Sequence, residues 1–151
     1  MITFLASIFI WLMFFGLIVL WFVDGKIKKA TVIHAIFSCL LAYSITELIK
    51  TFFPTVRPFQ FDGGFPLTLT IPSDSAFPSS HTAVGFALAI TILRHDKKIG
   101  ILYLIMAGIV GIARIMAYVH YPVDIIAGAA IGIIMSELTS GKHFVRLLNR
   151  N

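Results

Sequence analysis

Three short patterns of basic, hydroxyl and imidazole side chains stand out along this sequence. Lys50 is followed after six residues by Arg57 and Pro58, a Pro-Ser-Ser-His run covers residues 78–81, and the third pattern contains Arg114, His120 and Asp124. Arginine offers paired, planar donors and lysine a compact charge, and together they suit a multiply charged oxyanion. The three patterns therefore predict the binding and transfer of a phosphoryl group.

The two histidines suit different chemical steps. His120 precedes Asp124 by four residues. The carboxylate can therefore bind one imidazole nitrogen, fix the tautomer and leave the other nitrogen free to attack phosphorus. His81 follows Ser79 and Ser80 at a predicted helix start, where hydroxyls and free backbone N–H groups bind phosphate. We expect His81 to protonate the leaving oxygen as a general acid.

The composition places these patterns in a membrane protein. The 151 residues are 58% hydrophobic and 13% charged, with a mean hydropathy of +0.94, unlike soluble or disordered chains. The net charge of +5 fits orientation in a bilayer better than nucleic-acid binding, and no nucleic-acid partner is expected. The single cysteine, Cys39, rules out a disulfide within the chain and is expected to be a small packing residue.

Five apolar stretches determine the predicted fold. They cover residues 1–23, 30–49, 80–93, 99–117 and 123–139, and a membrane helix needs about 20 residues. We therefore predict an all-α, polytopic membrane bundle of about five helices, forming a single domain over residues 1–151. Gly128 and Gly132, four residues apart in the last stretch, indicate close helix packing.

Residues 50–80 break the apolar pattern. They include five of the six prolines and the pair Gly63 and Gly64, which mark turns. Irregular backbone is not tolerated against lipid, so we expect an ordered, Pro-rich extracytoplasmic loop that lies on the surface or over the bundle, with short helical or extended pieces. Asp62 is expected to be a turn residue. Because Asp62 and Asp74 look isolated, the sequence predicts no metal site and no cofactor.

The distribution of charge predicts the orientation. Alternation of five spans places nine of the twelve Lys and Arg on one side: Lys26, Lys28, Lys29, Arg94, Lys97, Lys98, Lys142, Arg146 and Arg150. The positive-inside rule makes that side cytoplasmic, with the N-terminus outside and the C-terminus inside. Lys50, Arg57 and Arg114 then face outward. Ionisable residues at membrane depth are candidates for function.

Each pattern also has a structural explanation of its own. A Ser-Ser-His run at a helix start is usually a cap, and a His–Asp pair four residues apart is usually a surface hydrogen bond. His34, within the second stretch, is expected to be a packed or interfacial histidine. The occurrence of all three patterns in one chain is far less expected by chance, because together they account for every Lys and Arg on the outward side.

The three patterns together resemble the signature of the type 2 phosphatidic acid phosphatase family, membrane lipid phosphatases that share a core with vanadium haloperoxidases. That signature reads Lys-x6-Arg-Pro, Pro-Ser-Gly-His and Ser-Arg-x5-His-x3-Asp, and the match here covers residues 50–124. Ser80 stands in place of the usual Gly and Ala113 in place of the usual Ser. Many bacterial members have six spans, one more than is predicted here.

The resemblance implies a metal-independent phosphatase. His120 would be the nucleophile that forms a phosphohistidine, Asp124 would orient it, and His81 would protonate the leaving group. The phosphate would be held by five residues: Lys50, Arg57, Ser79, Ser80 and Arg114.

Within that family, the short length, the outward site and the residues around His81 and His120 resemble bacterial undecaprenyl-diphosphate phosphatases, which recycle the lipid carrier of cell-wall synthesis. The expected partners are therefore a lipid phosphate or diphosphate and membrane lipids, at the cytoplasmic membrane. A phosphatidylglycerophosphate or phosphatidate phosphatase stays open, because the motifs bind phosphate rather than the tail. A non-enzymatic lipid-phosphate binder or flippase component is the alternative of another class. Substrate choice is expected to depend on residues 59–77 and on the groove beside the first two spans.

Overall fold

A computed structural model describes residues 1–23 and 29–140 of the chain. Seven helices occur in these two ranges: α1 (Ile2–Ser7), α2 (Phe9–Val23), α3 (Lys29–Phe52), α4 (Pro58–Asp62), α5 (Ser80–His95), α6 (Lys97–Met116) and α7 (Pro122–Thr139). The predicted all-α class is confirmed. Five of the basic residues that predict the orientation lie outside the described residues: Lys26, Lys28, Lys142, Arg146 and Arg150.

Three helices are long and apolar enough to cross a membrane: α3 over Thr31–Phe52, and all of α6 and α7. The chain is therefore a membrane protein. The first predicted span is divided at Ile8 into α1 and α2, and α2 has 15 residues. α5 has 16 residues, which is short for a span. Because other helices surround α5, its own ends need not reach both membrane surfaces.

α5 is the central helix of the bundle, packed against α3, α6 and α7. Two glycines of α7 allow a close approach. A Cβ added to Gly132 would lie 2.2 Å from the carbonyl oxygen of Ala83, and one added to Gly128 would lie 2.5 Å from that of Ser79. Since real Cβ atoms do not approach carbonyl oxygens this closely, both positions require glycine. The predicted close packing at Gly128 and Gly132 is thus confirmed.

The local sequence determines where the helices that carry the three patterns begin and end. Lys50 lies in the last turn of α3, and Arg57 directly precedes Pro58 at the start of α4. Ser79 is the N-cap of α5, where its hydroxyl accepts a hydrogen bond from the Thr82 backbone N–H at 3.4 Å. α7 begins at Pro122, whose missing N–H has no cost in a first turn. Each pattern therefore lies at a helix terminus.

The loop between α3 and α5 is ordered and covers the end of the bundle where these termini meet. Its helical piece α4 ends at Asp62, and the following residue, Gly63, adopts a left-handed conformation with φ 72°. The backbone N–H of Leu67 donates to the carbonyl of Ala117 at 2.9 Å, and that of Leu69 to the hydroxyl of Ser7 at 3.2 Å. The predicted placement of the loop over the bundle is confirmed. Asp62 is the expected turn residue, accepting from the Gly64 N–H at 3.3 Å.

The opposite end of the bundle contains a buried polar cluster between α3, α5 and α7. Nε2 of His34 lies 2.9 Å from Oγ1 of Thr139, and Oγ of Ser38 lies 2.6 Å from the same atom. His34 is therefore a packed histidine, as predicted. Cys39 is buried in the apolar core beside this cluster, which agrees with the predicted packing role.

Candidate functional site

The three sequence patterns meet around one cavity of about 540 Å³ under the loop. Six of the predicted site residues line it: Lys50, Arg57, Ser80, His81, Arg114 and His120. Ser79 and Asp124 lie behind this lining and are fully buried. The Ser79 backbone N–H donates to the carbonyl of Asp124 at 3.1 Å, which joins the second pattern to the third.

The imidazole of His120 lies between two guanidinium groups. Its Nε2 is 3.4 Å from Nη1 of Arg57 and 3.4 Å from Nη2 of Arg114. A guanidinium group can only donate, so Nε2 must present its lone pair. The proton of the neutral ring then lies on Nδ1, which is 3.4 Å from Oδ2 of Asp124, outside hydrogen-bond geometry but close enough for a charge interaction. This is the tautomer that attack by Nε2 requires.

The surroundings of His120 also keep the ring neutral. Burial lowers the pKa of the His120 imidazole to about 4, helped by the charges of Arg114 and Arg57 and opposed by the Asp124 carboxylate. A neutral ring has a free electron pair for a nucleophilic step at neutral pH. The same oxygen of Asp124, Oδ2, also accepts a hydrogen bond from the Tyr121 backbone N–H at 2.8 Å. This second contact holds the carboxylate at the start of α7.

Arg57 is fully buried, and the protein accepts from each of its five N–H groups. Nε donates to the Asp74 carbonyl at 2.9 Å, and Nη1 donates to the Val119 carbonyl at 2.8 Å and faces His120. Nη2 donates to Oδ1 of Asp74 at 2.9 Å and to the Ser75 carbonyl at 3.2 Å. These contacts hold the guanidinium plane in one orientation across the cavity.

Arg114 is buried with its charge less well compensated. Nη1 donates to the Ala6 carbonyl at 3.1 Å, whereas Nε has no hydrogen-bond partner among the described residues. Within residues 1–23 and 29–140, no carboxylate forms a salt bridge with Arg114. A buried charge without an opposite charge is costly. An anion in the cavity would reduce that cost, which makes Arg114 the clearest sign of an anion site.

Lys50 is paired with two carboxylates at the edge of the cavity. Its Nζ lies 3.0 Å from Oε1 of Glu47 and 2.5 Å from Oδ2 of Asp74. The prediction that Asp74 is isolated was therefore wrong, because the loop returns it to residues 17 and 24 positions earlier in the chain. Burial alone would raise the pKa of the Asp74 carboxyl, but the hydrogen bond and charge of Lys50 and the charge of Arg57 hold that pKa below its usual value.

The two serines of the second pattern already have partners within the protein. The Ser80 hydroxyl donates to Oε1 of Glu47 at 2.8 Å. The Ser79 hydroxyl accepts from the Thr82 hydroxyl at 3.0 Å as well as from the Thr82 N–H. Ser80 faces the cavity, whereas Ser79 shapes the start of α5. A role for either in holding phosphate stays a prediction.

A second, apolar cavity of about 170 Å³ adjoins the first. Its lining is Ile10, Trp11, Phe14, Tyr43, Ser80, His81 and Val84, and four of these residues, Trp11, Tyr43, Ser80 and His81, also line the polar cavity. The lining comes from α2, α3 and α5, beside the first two predicted spans. Trp11 and Tyr43 were not singled out from the sequence, because one aromatic residue in an apolar helix carries no sign of a site.

The fold and the site define a helical membrane protein with a cationic pocket that opens onto an apolar one. The chain belongs to the PAP2 superfamily, whose sequence profile matches residues 31–146. The described residues contain no group of three or more His, Cys, Asp or Glu side chains that could hold a metal ion.

Two curated relatives illustrate the match. The chain is 31% identical over 131 residues to the bacitracin transport permease protein BcrC of Bacillus licheniformis, covering 87% of this chain and 64% of the relative. It is 32% identical over 108 residues to an undecaprenyl-diphosphatase of Sulfolobus acidocaldarius, covering 71% of this chain and 52% of the relative. The chain thus spans between 52% and 64% of the length of these relatives.

A solved structure shows the same architecture. The crystal structure of LpxE from Aquifex aeolicus superposes with a TM-score of 0.70 at 29% sequence identity, over 87% of this chain and 81% of that chain. The arrangement of helices is therefore that of a PAP2 membrane protein.

The tautomer and pKa of His120 can be measured by NMR of the protein labelled with ¹⁵N-histidine in micelles, with the signal assigned by its loss in His120→Gln. We expect a neutral ring with the proton on Nδ1 from about pH 8 down to about pH 5, because the folded-state pKa lies below the ordinary value of about 6.5. Since the folded protein then binds fewer protons than the unfolded chain, its stability should decline as the pH falls from about 6.5 towards 4. A ring protonated on Nε2, or one that titrates near pH 6.5, would contradict the geometry described above.

Proposed function

We propose that the protein is a lipid phosphatase that hydrolyses undecaprenyl diphosphate to undecaprenyl phosphate through a phosphohistidine. One observation carries the proposal: a cationic cavity and an apolar cavity share Trp11, Tyr43, Ser80 and His81. A single amphipathic molecule can therefore place its phosphate among the cations and its first tail segment in the apolar cavity.

In the first step, Nε2 of His120 attacks the terminal phosphorus. The new N–P bond forms while the bridging P–O bond breaks. His81, which the negative charge of the bound head group holds in its protonated form, gives its proton to the departing oxygen of the lipid phosphate. Arg57, Arg114 and Lys50 stabilise the charge on the phosphoryl oxygens. Arg57 and Arg114 suit this role because both already face the attacking nitrogen.

In the second step, water hydrolyses the phosphohistidine. His81, now neutral, takes a proton from the water as its oxygen attacks phosphorus, and the N–P bond breaks. Inorganic phosphate leaves and His120 returns to its neutral form. Asp124 stabilises the proton on Nδ1 throughout, which keeps Nε2 available as nucleophile and leaving group.

The choice of substrate is supported by kinship and by the chemistry of the head group. One relative is named an undecaprenyl-diphosphatase, and the apolar cavity would take an unbranched run of lipid as readily as an isoprenoid. The head group carries the distinction, because a terminal phosphate on a diphosphate has a good leaving group and a high charge. A phosphatidylglycerophosphate or phosphatidate substrate is the alternative that the assay below separates.

We also propose that the site faces the extracytoplasmic side of the cytoplasmic membrane. Lys50, Arg57 and Arg114 cluster at one end of the bundle. Arg94 and Lys97 lie at the other end, in the α5–α6 corner. Short loops rich in Lys and Arg are retained in the cytoplasm, which supports an outward site.

Phosphate release from purified protein in detergent tests the function. With undecaprenyl diphosphate as substrate, we expect turnover that survives EDTA and falls about 10³-fold or more in His120→Ala, because the nucleophile is lost. His95→Gln is the control, since it changes an exposed imidazole at the far end of α5 and should keep full activity.

Three results would count against this proposal. Full activity in His120→Ala would remove the nucleophile, and strict dependence on added Mg²⁺ would remove the mechanism. Faster turnover of phosphatidylglycerophosphate or phosphatidate than of undecaprenyl diphosphate would replace the substrate. Binding of the lipid with no phosphate release at all would favour a lipid-phosphate binder.

The apolar cavity can be tested by filling it with Val84→Trp. We expect the KM for undecaprenyl diphosphate to rise by about tenfold, because the tail loses buried contact area. The kcat/KM for inorganic diphosphate, which has no tail to place in the cavity, should change much less. Ile101→Trp adds the same bulk at an exposed position of α6 and should affect neither substrate. An equal loss on both substrates would mean that Val84→Trp distorts the phosphate site rather than the tail site.

Orientation can be measured by labelling cells with a membrane-impermeant maleimide. In a Cys39→Ser background, Asp62→Cys should react from outside intact cells, because Asp62 is exposed on the loop. Lys97→Cys, exposed at the start of α6, should react only after permeabilisation. The reverse pattern would place the site on the cytoplasmic side.

A further inference from the structure

The two cations of the first sequence pattern are already bridged by one carboxylate. Oδ1 of Asp74 lies 2.9 Å from Nη2 of Arg57, and Oδ2 lies 2.5 Å from Nζ of Lys50. Two oxygens of a phosphoryl group would bridge the same two cations in the same way. Both N–H groups of Nη2 of Arg57 are in use, on Oδ1 of Asp74 and on the Ser75 carbonyl. A phosphate that bridges Nη2 of Arg57 and Lys50 in this way must therefore displace the Asp74 carboxylate.

The exposure of the three side chains shows which of them can move. Those of Arg57 and Lys50 are 2% and 8% exposed, whereas that of Asp74 is 44% exposed. The cations belong to the wall of the cavity, and the carboxylate reaches them from its open side. A bound anion can therefore replace the Asp74 carboxylate without any change in the wall.

The backbone next to Asp74 is anchored, so the movement need involve little more than its side chain. The Ser75 hydroxyl accepts from the Thr55 N–H at 2.8 Å and donates to the Phe53 carbonyl at 3.0 Å. The Ala76 N–H donates to the Thr55 carbonyl at 3.2 Å. A rotation about the side-chain bonds of Asp74 would carry the carboxylate into solvent while the loop stays in place.

We propose that Asp74 is an intramolecular competitor for the phosphate position, and that it selects head groups with more than one negative charge over the phosphodiesters of bulk lipids. The selectivity rests on the proposed lipid phosphatase function, because it concerns the same site. Asp74 is thus a specificity-determining residue and takes no part in bond making.

Charge decides the competition. A phosphodiester carries a single negative charge, as the Asp74 carboxylate does, and it must in addition lose its freedom of movement to bind. The carboxylate is already tethered at a high effective concentration. A phosphate monoester carries about −1.5 to −2 at pH 7, and a terminal phosphate on a diphosphate adds the charge of its neighbour. Such a group displaces the carboxylate, whereas the abundant phosphodiester lipids of the bilayer do not.

If Asp74 had a purely supporting role, removal of its carboxylate would have the opposite effect on anion binding. If the carboxylate were needed to hold Arg57, its removal would weaken anion binding. Three acceptors of Arg57 do not depend on that carboxylate, namely the backbone carbonyls of Asp74, Ser75 and Val119. Arg57 should therefore keep its orientation when the carboxylate is neutralised.

The test is equilibrium binding of radiolabelled inorganic phosphate to the full chain in neutral detergent, with phosphatidylglycerol as the competing phosphodiester. In Asp74→Asn we expect the Kd for phosphate to fall by about fivefold, the size of effect that one or two partly exposed ion pairs support. Phosphatidylglycerol should compete measurably in the variant and far less in the parent protein. An unchanged or higher Kd for phosphate in Asp74→Asn would overturn the proposal.

Two matched variants separate the local charge from other effects. Asp62→Asn removes the same charge from the same loop at a side chain that contacts Gly64 and Tyr118, so it should leave the Kd for phosphate unchanged. Asp74→Ala also removes the competing charge and should tighten phosphate as Asp74→Asn does, which keeps the test valid if one variant does not fold. Equal tightening in Asp62→Asn would show a general charge effect and reject a competitor at Asp74.

Failure of the competitor proposal can be distinguished from failure of the proposed phosphatase function. If both Asp74 variants bind phosphate more tightly while no lipid releases phosphate, the phosphatase proposal fails and the competitor remains. If undecaprenyl diphosphate is hydrolysed and neither variant tightens phosphate, the competitor fails and the phosphatase remains.

Discussion

The site depends on holding two buried guanidinium groups 3.4 Å from the same imidazole nitrogen. Two like charges beside the same atom in a poorly hydrated place are stable only if the protein orients acceptors towards them. The carbonyls of Val119, Asp74 and Ser75 do so for Arg57, and that of Ala6 does so for Arg114. The loop, α1 and the turn after α6 must therefore all lie next to these two guanidinium groups. This requirement determines the arrangement of the polar end of the bundle.

The helix packing brings these acceptors and the reactive groups into register. α5 carries His81 in its first turn, and α7 carries Asp124 in its own. The two helix starts can adjoin because Gly128 leaves room for the Ser79 carbonyl, and the Ser79 N–H then reaches the carbonyl of Asp124. A contact between backbones thus sets the relation between His81 and the His120–Asp124 pair. Side-chain rotation alone could not set it so firmly, because a larger residue at 128 would separate the helices.

The charge of the site is close to balanced at Arg57 and Lys50 and is left unbalanced at Arg114. Asp74 and Glu47 compensate the first two cations from the open side of the cavity. Arg114 lies deeper, next to the His120 ring, where no carboxylate of the described chain reaches it. The strongest attraction for an incoming anion therefore lies next to the nitrogen proposed to attack it. The apolar cavity beside His81 places an uncharged surface next to the cations, which is the pairing that the proposed lipid substrate requires.

The sequence by itself determined the membrane-protein class, the all-α fold and six of the residues that line the cavity. Spacing was enough for Lys50, Arg57, Arg114 and His120, because each belongs to a pattern rare in so apolar a chain. The division of the first span at Ile8 and the short α5 could not be predicted, since both depend on how neighbouring helices cover them. The partnership of Asp74 with Arg57 and Lys50, and the place of Trp11 and Tyr43 in the wall, were decided by the tertiary structure alone. These contacts depend on how an irregular loop and an exposed helix face pack against the rest of the bundle. Contacts between segments that are distant in the chain produce no periodic pattern in the sequence, so they could not be predicted from it.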